Sequence, residues 1–487
     1  MKRILSVSLL ILFGIGIAFG QWSGYMVDEG TTTMDGGIGV TWIDDQAYYN
    51  ISFMPDVSIG KLGVGLNLSL LYNVDTGHIR SEDWDSGYDY ARIIRYVRWG
   101  HKGDRFYTRV GALDAARIGH GFILGYYNNQ INYDERKIGL SLDVDFGLFG
   151  VESMTSNLGR LEVLGLRGYV RPMNKKEIPV LKNLAFGASY VTDVDPDGFR
   201  DTKDGVSFMG IDAELPLIKS NLLKMTLFAD HAFVTDPLSQ SEMIQELSDI
   251  YNETGGTLLP YPIEYGEDGK GSGQTVGLLT DFSVILDLMN LSVGIERRWL
   301  GEGFVPNYFG PMYEVLRYSN VGDLLDYYDA IGADPSLLPD WMLNNNAFMG
   351  SLISKKTLMP LMAEKRQGWF GGLYLDLVHI VRVTGTFEML DGVQNSGQLH
   401  FGAGLSQEIP LISLEASYDK IGIETFKDIR TLDNRSVARV GLGYKIKPYL
   451  LLYMDYIWTF QWDDEAGMYK PQERIQPRLA FRMPLNL

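Results

Sequence analysis

The last fifty residues, 437–487, alternate between apolar and polar positions with a period of two. In 438–446 the even positions are apolar or aromatic, while the odd positions carry Arg, Gly or Lys. After the short connection 447–449, a second apolar series occupies the even positions of 450–462, and a third lies in 475–487. Successive side chains of a β-strand point to opposite faces. The pattern therefore predicts three strands, each with one apolar and one polar face.

The same alternation recurs along most of the chain and predicts an all-β protein. Its earlier strands are expected near 37–43, 46–54, 61–74, 90–99, 104–112, 137–146, 148–156, 161–171, 182–192, 205–215, 223–234, 273–286, 289–300, 368–378, 380–390, 397–409 and 411–420. With the three terminal strands, the interpretation gives about 16–20 strands.

The connections between these strands alternate in length. Short turns are predicted at 100–104, 146–148, 286–289, 377–380, 409–411 and 447–449. Long polar links are predicted at 74–89, 192–205, 234–273, 300–368, 420–436 and 461–474. Loops segregated in this way are typical of a transmembrane antiparallel up-and-down β-barrel, with short periplasmic turns and long external loops. The alternative is a secreted all-β protein, but a soluble sandwich or propeller has no reason to segregate its loops.

The final strand resembles the C-terminal insertion signal of bacterial outer-membrane β-barrels, and the whole mature chain resembles porin-type channels in architecture. The insertion signal usually ends in an aromatic residue, whereas this chain ends in Leu487. The resemblance points to no specific family. It implies an apolar exterior in contact with lipid and a wet, polar lumen.

The first twenty residues have the pattern of a secretory signal peptide. Lys2 and Arg3 precede an apolar core at 4–17, and the small residues Ala18 and Gly20 suit cleavage before Gln21. No other segment approaches the ~20 apolar residues that a membrane-spanning helix needs. We therefore expect one barrel domain at 21–487, exported to a Gram-negative outer membrane.

Two segments interrupt the strand pattern and are predicted to form large loops. They occupy 235–272 and 301–367, and each is expected to lie outside the barrel or to fold into the lumen. The glycine-rich and aromatic stretch 112–136 is a further candidate for narrowing the channel. Decoration of the external surface is the alternative for the segment 301–367 and for the stretch 112–136.

The parity of each strand predicts which charged side chains line the lumen, because a charge on the lipid face costs about 2–4 kcal/mol near the midplane. The predicted lining comprises Arg105, Arg109, Asp143, Asp145, Glu296, Arg298, Arg382, Glu388, Glu415, Asp419, Arg439, Arg478 and Arg482. Both signs occur, which favours a hydrated passage with internal ion pairs. For any single residue the alternative is a purely structural pair.

An Asp-rich stretch at 193–204 has the ligand spacing of a calcium loop. Oxygen ligands stand at positions one, three, five, nine and twelve, with glycine at position six: Asp193, Asp195, Asp197, Asp201 and Asp204, with Gly198. The flanks are predicted strands, and position twelve is Asp where Glu is usual. A polar hairpin loop rich in turn formers explains the same residues. Calcium should raise the thermal midpoint of the wild type but not of Asp195→Ala.

Composition narrows the functions that remain. The formal net charge is −18, which argues against nucleic acid as a partner. The chain has no Cys, so no disulfide holds the fold. The six His lack metal-ligand spacing, and His120, between two glycines, has no identifiable Ser partner for a barrel-embedded hydrolase. We therefore expect no enzyme and no required cofactor, with Ca²⁺ at 193–204 as the one candidate.

The sequence thus predicts a porin-like channel for small hydrophilic solutes, with outer-membrane lipid as its surroundings and an oligomeric state left open. The first alternative is a non-conducting surface protein whose acidic loops bind a partner, a surface polymer or calcium. The second is the hydrolase centred on His120. The third is a transporter of apolar compounds, but 21–37 is too short to form the N-terminal hatch of such barrels.

Overall fold

In this computed structural model, the strands form one continuous antiparallel sheet. The structure describes residues 33–484 except 44–45, 85–86, 132–135, 177, 195, 197–204, 221, 236–270, 285–287, 302, 321–351, 357–365, 379, 392–395, 406–408, 434 and 464–467. The predicted signal peptide at 1–20 lies outside these residues.

Twenty strands of the described chain build the sheet. They are β1 Thr33–Ile43, β2 Gln46–Phe53 continued by Asp56–Ile59, β3 Leu62–Leu66 continued by Leu68–Asn73, β4 Ile94–Trp99, β5 Phe106–Gly111, β6 Gly139–Asp145, β7 Phe149–Thr155, β8 Val163–Val170, β9 Ala185–Asp193, β10 Val206–Lys219, β11 Leu223–Val234, β12 Ser272–Val284, β13 Met289–Leu300, β14 Arg366–Leu377, β15 Val381–Leu390, β16 Gly397–Leu405, β17 Ile412–Ile423, β18 Ser436–Lys447, β19 Leu450–Asp463 and β20 Met468–Pro484. The two halves of β2 and β3 keep one register, since Phe53 faces Leu68 and Asp56 faces Gly65.

The strand pairing closes the sheet into a ring. Each strand pairs with the next one along the chain, from β1 with β2 to β19 with β20. The last strand then pairs with the first, from Thr33 opposite Pro484 to Gly39 opposite Arg478. Closure leaves no unpaired edge, which a sheet in lipid requires. The predicted up-and-down β-barrel of about 16–20 strands is confirmed.

The two ends of the barrel differ, as predicted. One end carries the connections 60–61, 100–105, 146–148, 220–222, 285–288, 378–380, 406–411 and 448–449, together with the first and last residues of the ring. We call it the short-turn end. The other, the long-loop end, carries 74–93, 112–138, 194–205, 235–271, 301–365 and 424–435 among its connections. One exception is 171–184, a longer connection at the short-turn end that contains the 3₁₀ turn Leu181–Asn183. The connections 44–45, 156–162, 391–396 and 464–467 are short ones at the long-loop end. The predicted long link 461–474 is therefore wrong, because β19 and β20 extend through most of it.

The two faces of the sheet have opposite character. Large apolar side chains point outward, and Ile38, Ile211 and Leu452 are 65%, 59% and 57% exposed. Charged side chains such as Arg298 and Asp419 are instead buried inside the ring. An apolar exterior of this extent is unfavourable in water and matches the lipid-facing band of a membrane barrel. No helix in the described part of the chain has the length and apolar composition to span a membrane.

The apolar core of the protein lies inside the barrel, at the long-loop end. Two segments enter the lumen there: 112–131, which we call the crossing segment, and 303–317, the plug segment. Their buried side chains include Leu113, Ile118, Phe122, Ile123, Leu124, Tyr127, Phe304, Tyr308, Phe309 and Tyr313. These pack on wall residues near the long-loop ends of the strands, such as Val163, Val191, Phe208, Val234, Leu300 and Leu390.

Helix is confined to short turns in the described residues. The helix Gly87–Ala91 lies in the connection between β3 and β4, and Tyr313–Leu316 is a single turn within the plug segment. Two three-residue strands, Tyr318–Asn320 and Leu352–Ser354, pair with each other beyond the plug segment. Part of the predicted loop 301–367 therefore folds into the lumen, while 236–270 and 321–351 lie outside the described residues.

Candidate functional site in the lumen

The crossing segment contacts walls on opposite sides of the barrel. The Gly119 amide donates to Glu152 of β7 at 2.9 Å, and the Tyr126 ring lies 4.8 Å from that of His400 on β16. At its far end the Ile131 carbonyl accepts a hydrogen bond from Thr459 of β19. An empty ring of twenty strands would enclose a wide aqueous lumen. The crossing segment therefore narrows the lumen across its width.

The plug segment is fastened to the crossing segment along the backbone. The Asn307 amide donates to the Phe122 carbonyl at 2.7 Å, and the Phe309 amide donates to the Ile123 carbonyl at 3.2 Å. A second apolar cluster joins Ile131, Met312, Val315 and Phe460 on the β19 side. Phe460 belongs to the apolar parity of β19, yet it is buried in this cluster. The two segments thus form one layer across the long-loop end.

Glycines allow the crossing segment to present His120 to the wall. Gly119 and Gly121 have φ values of +56° and +88°, which residues with a side chain rarely adopt. A Cβ on Gly119 would also lie 3.1 Å from Cδ of Arg167. The sequence Gly-His-Gly therefore makes a tight turn whose one side chain is an imidazole.

His120 contacts three residues of the wall. Its ring stacks on Phe228 with centroids 4.3 Å apart and planes inclined by 25°. Nδ1 lies 3.0 and 3.1 Å from the two carboxylate oxygens of Asp230, and Nε2 lies 3.8 Å from Glu214. Burial alone would lower the pKa of His120, but the two carboxylates outweigh it and raise the pKa to about 10. The side chain is therefore an imidazolium at neutral pH.

A cavity of ≈ 330 Å³, lined by both charged and apolar side chains, adjoins His120. It extends toward the short-turn end, because Lys219 and Lys224, on either side of the turn between β10 and β11, also line it. The remaining charged lining comprises Arg117, Glu152, Arg167, Glu214, Asp281 and Glu296. Groups of both signs thus surround the cavity.

Two arginines beside the cavity are held by paired carboxylates. Arg167 bonds Asp212 through Nε and Nη2 at 2.8 and 2.6 Å, and Glu152 through Nη1 at 2.6 Å. Arg298 lies 2.9 Å from Glu296 and 3.0 Å from Glu388. Because bidentate guanidinium–carboxylate contacts fix both partners, these groups stiffen the wall. Arg167, Glu152 and Asp212 were not among the predicted lumen residues, although strand parity would have found them.

A buried ionic cluster fastens the plug segment to the wall at the long-loop end. We call it the ionic latch: Lys137, Glu162, Glu314 and Arg317. The Lys137 ammonium contacts both Glu162 and Glu314, and Arg317 lies 3.3 Å from Glu162. The Tyr127 hydroxyl donates to Glu314. Burial raises the pKa of Glu314, but Lys137 and Arg317 outweigh it and hold that pKa below its usual value.

Seven of the predicted lumen charges are buried within the barrel, and most of the set form ion pairs. Arg109 lies 2.8 Å from Asp114, Asp143 2.8 Å from Lys102, Asp145 2.9 Å from Arg171, Arg382 3.4 Å from Asp376, Asp419 2.6 Å from His400 and Arg478 2.9 Å from Asp455, besides the Glu296–Arg298–Glu388 cluster. Apart from that cluster, these pairs are dispersed around the ring.

The remaining predicted lumen residues differ in their surroundings. Arg105, Glu415 and Arg439 are exposed, and Arg439 lies 4.0 Å from Asp455. Arg105 immediately precedes β5. Arg482 belongs to β20, and its side chain lies outside the described residues.

Of the five predicted calcium ligands, the structure describes Asp193 alone. Asp193 ends β9, is fully buried, and accepts a hydrogen bond of 2.8 Å from the hydroxyl of Tyr313 in the plug segment. Asp195, Asp197, Asp201 and Asp204 lie outside the described residues. No group of three or more acidic or histidine side chains in the described part is placed to hold a metal ion. Calcium at 193–204 stays a prediction.

Comparisons with known proteins give matches among solved structures. No protein-family model and no curated protein matches the chain. Wzi, an outer-membrane protein involved in group 1 capsule assembly in Escherichia coli, is 9% identical, with 94% of this chain and 85% of Wzi covered at a TM-score of 0.33. OccK2 (OpdF) of Pseudomonas aeruginosa is 9% identical, with 95% and 100% covered at a TM-score of 0.29.

CdiB from Acinetobacter baumannii also matches, at 8% identity and a TM-score of 0.25 over 93% of this chain. The chain spans 60% of the length of CdiB. At these TM-scores the fold assignment rests on the strand pairing itself. The closed ring, its apolar exterior and its two unlike ends define an outer-membrane β-barrel of porin-like architecture, without a specific family.

Proposed function

We propose that the protein is an outer-membrane channel for small hydrophilic solutes, whose lumen is narrowed by the crossing and plug segments. The observation that carries this proposal is the cavity of ≈ 330 Å³ inside the ring, which charged side chains help to line. Charged groups of both signs line it, while the exterior of the same strands is apolar. The charged groups of such a lining can hydrogen-bond a hydrophilic solute in place of water.

The test is single-channel conductance of the refolded protein in a planar bilayer. Stable, ohmic steps that are small for a twenty-strand ring would support a narrowed channel. A variant in which a short Gly-Ser linker replaces 303–317 should give larger steps, because it removes half of the layer across the lumen. If neither protein conducts while both show the heat-modifiable mobility of a folded barrel, the channel function is wrong.

A second candidate is a non-conducting surface barrel whose long loops bind a partner, a surface polymer or calcium. The apolar layer across the long-loop end favours it, because apolar side chains in contact leave no hydrated path. The same experiment separates the two candidates. A silent wild type together with a conducting linker variant would identify the plug segment as a permanent seal and favour the surface protein.

A further inference from the structure

The lumen wall formed by β10, β11 and β13 carries an unusual density of carboxylates. Asp212 faces Asp230 across the β10–β11 pair, and Glu214 faces Phe228. Phe228 in turn faces Gly277 on β12, and Gly277 faces Glu296 on β13, so Glu296 lies in the same row across the sheet as Glu214. Like charges on directly facing residues repel each other. Each of these carboxylates therefore needs a cation.

The wall supplies some of these cations, and the crossing segment supplies another. Arg167 neutralises Asp212, and Arg298 neutralises Glu296. Asp230 and Glu214 are faced instead by His120. The imidazolium reaches them from the lumen side, as a bound molecule would.

The surroundings of His120 are those that proteins use for organic cations. An aromatic face, Phe228, stacks on the ring, and the carboxylate of Asp230 bonds its Nδ1. Aromatic faces attract cations through the ring quadrupole, and carboxylates bind their N–H groups. The same two carboxylates, Asp230 and Glu214, raise the pKa of His120 to about 10, so these surroundings favour a cation over a neutral ring of the same shape.

We propose that Asp230, Glu214 and Phe228 form a binding site for an organic cation, and that His120 occupies it as a tethered ligand. The adjoining cavity gives a cation from the short-turn end access to Glu214 and Phe228, which both line it. Lys224 also lines the cavity, but it precedes Phe228 by four residues, or about 13 Å along the strand. Its repulsion at the site is therefore weakened by distance and by water.

The binding site does not depend on the proposed channel function; only the statement that organic cations are transported rests on it. If the barrel conducts, the His120→Gly variant, in which the site is vacant, should favour small organic cations among hydrophilic solutes more than the wild type does. Binding itself is measured without transport.

The experiment removes the His120 side chain from the site and offers free imidazole in its place. In refolded full-length His120→Gly, we expect imidazole at pH 6, where it is an imidazolium, to raise the thermal midpoint with saturation. Pyrazole, a neutral ring of the same shape, should give no such rise. Wild type should respond to neither compound, because His120 already occupies the site. The double variant His120→Gly with Asp230→Asn should lose the response to imidazole.

The contrary outcomes are equally definite. Equal responses to imidazole and pyrazole, or none to imidazole in a folded His120→Gly protein, would overturn the site. If His120→Gly does not refold, the titration of His120 in wild type and in Asp230→Asn, followed by ¹³C NMR of labelled histidine, replaces it. A pKa that does not fall in Asp230→Asn would contradict the site. Silence in a bilayer combined with a retained imidazole response would refute the channel and leave the site standing.

Discussion

At the scale of single residues, buried charges in the barrel are stabilised by partners from other strands. Arg298 on β13 contacts Glu296 on its own strand and Glu388 on β15. It reaches Glu388 over the ring of Phe370 on the intervening strand, with the guanidinium 3.9 Å from the ring centroid. Since an unpaired buried charge costs several kcal/mol, each member of this cluster depends on the others.

Protonation of His120 should make the free energy of unfolding depend on pH. Its folded pKa of about 10 exceeds the unfolded value of 6.5, so protonation stabilises the folded state. This contribution is complete below pH 6.5 and is lost as the pH rises toward 10. The gap in unfolding free energy between wild type and His120→Gln should therefore shrink by up to about 1.4 kcal/mol per pH unit in that window.

Thermal midpoints of both proteins in detergent at pH 5.5, 7.5 and 9.5 check this prediction. His78→Gln is a matched control, because His78 is exposed in the connection between β3 and β4. A gap between wild type and His120→Gln that is constant across the three pH values would contradict the ionic contact with Asp230.

The alternation within each strand predicted which residues face the lumen, but it could not predict which of them form ion pairs with each other. The alternation in β13 and β15 predicts that Glu296, Arg298 and Glu388 face the lumen. Their meeting depends on the register across β14, where Phe370 stands opposite both Glu296 and Glu388. Register follows from the complete set of strand neighbours, which local periodicity does not contain.

At the scale of elements, the plug segment is held by contacts with residues far away in sequence. Glu314 contacts Lys137, which precedes it by 177 residues, and Tyr313 contacts Asp193 at a separation of 120. The sequence showed that 301–367 interrupts the strands, but it left an external and an internal position open. No local pattern decides between them, because the buried partners of the plug segment come from distant loops and strands.

The ionic latch should carry much of the plug segment's stability. Glu314→Gln leaves Lys137 and Arg317 buried against Glu162 alone, and breaking such a network costs about 3–5 kcal/mol. We expect a lower thermal midpoint and faster proteolysis within 303–317. Lys137→Met combined with Glu314→Gln should recover part of the loss, because the remaining Arg317–Glu162 pair is neutral.

Asp391→Asn serves as the control for the latch. Asp391 pairs with Arg297 at 2.7 Å and is about half exposed, so its loss should change the unfolding free energy by less than about 1 kcal/mol. Equal effects of Glu314→Gln and Asp391→Asn would show that the latch contributes nothing beyond a surface pair. A double variant less stable than Glu314→Gln would show that Lys137 acts independently of Glu314.

At the scale of the whole molecule, the alternation of faces and of loop lengths was sufficient to predict a barrel. Both signals are repeated over nearly every strand, so errors in single boundaries do not change the conclusion. The number of strands followed from the same repetition. The contents of the lumen did not, because a polar inner face is compatible with an open channel and with a filled one.

Closure of the ring can be tested directly, because the chain has no Cys. Ile38 of β1 stands opposite Leu479 of β20, and both side chains point outward. Directly facing residues of an antiparallel pair lie within the Cα separation that a disulfide spans. Ile38→Cys combined with Leu479→Cys should therefore cross-link on oxidation of the folded protein and raise its thermal midpoint. Ile38→Cys with Ile475→Cys is the matched control, since Ile475 shares the outer face but lies about 13 Å out of register. Equal cross-linking in the two variants, or cross-linking in the control alone, would contradict the closing pair of strands.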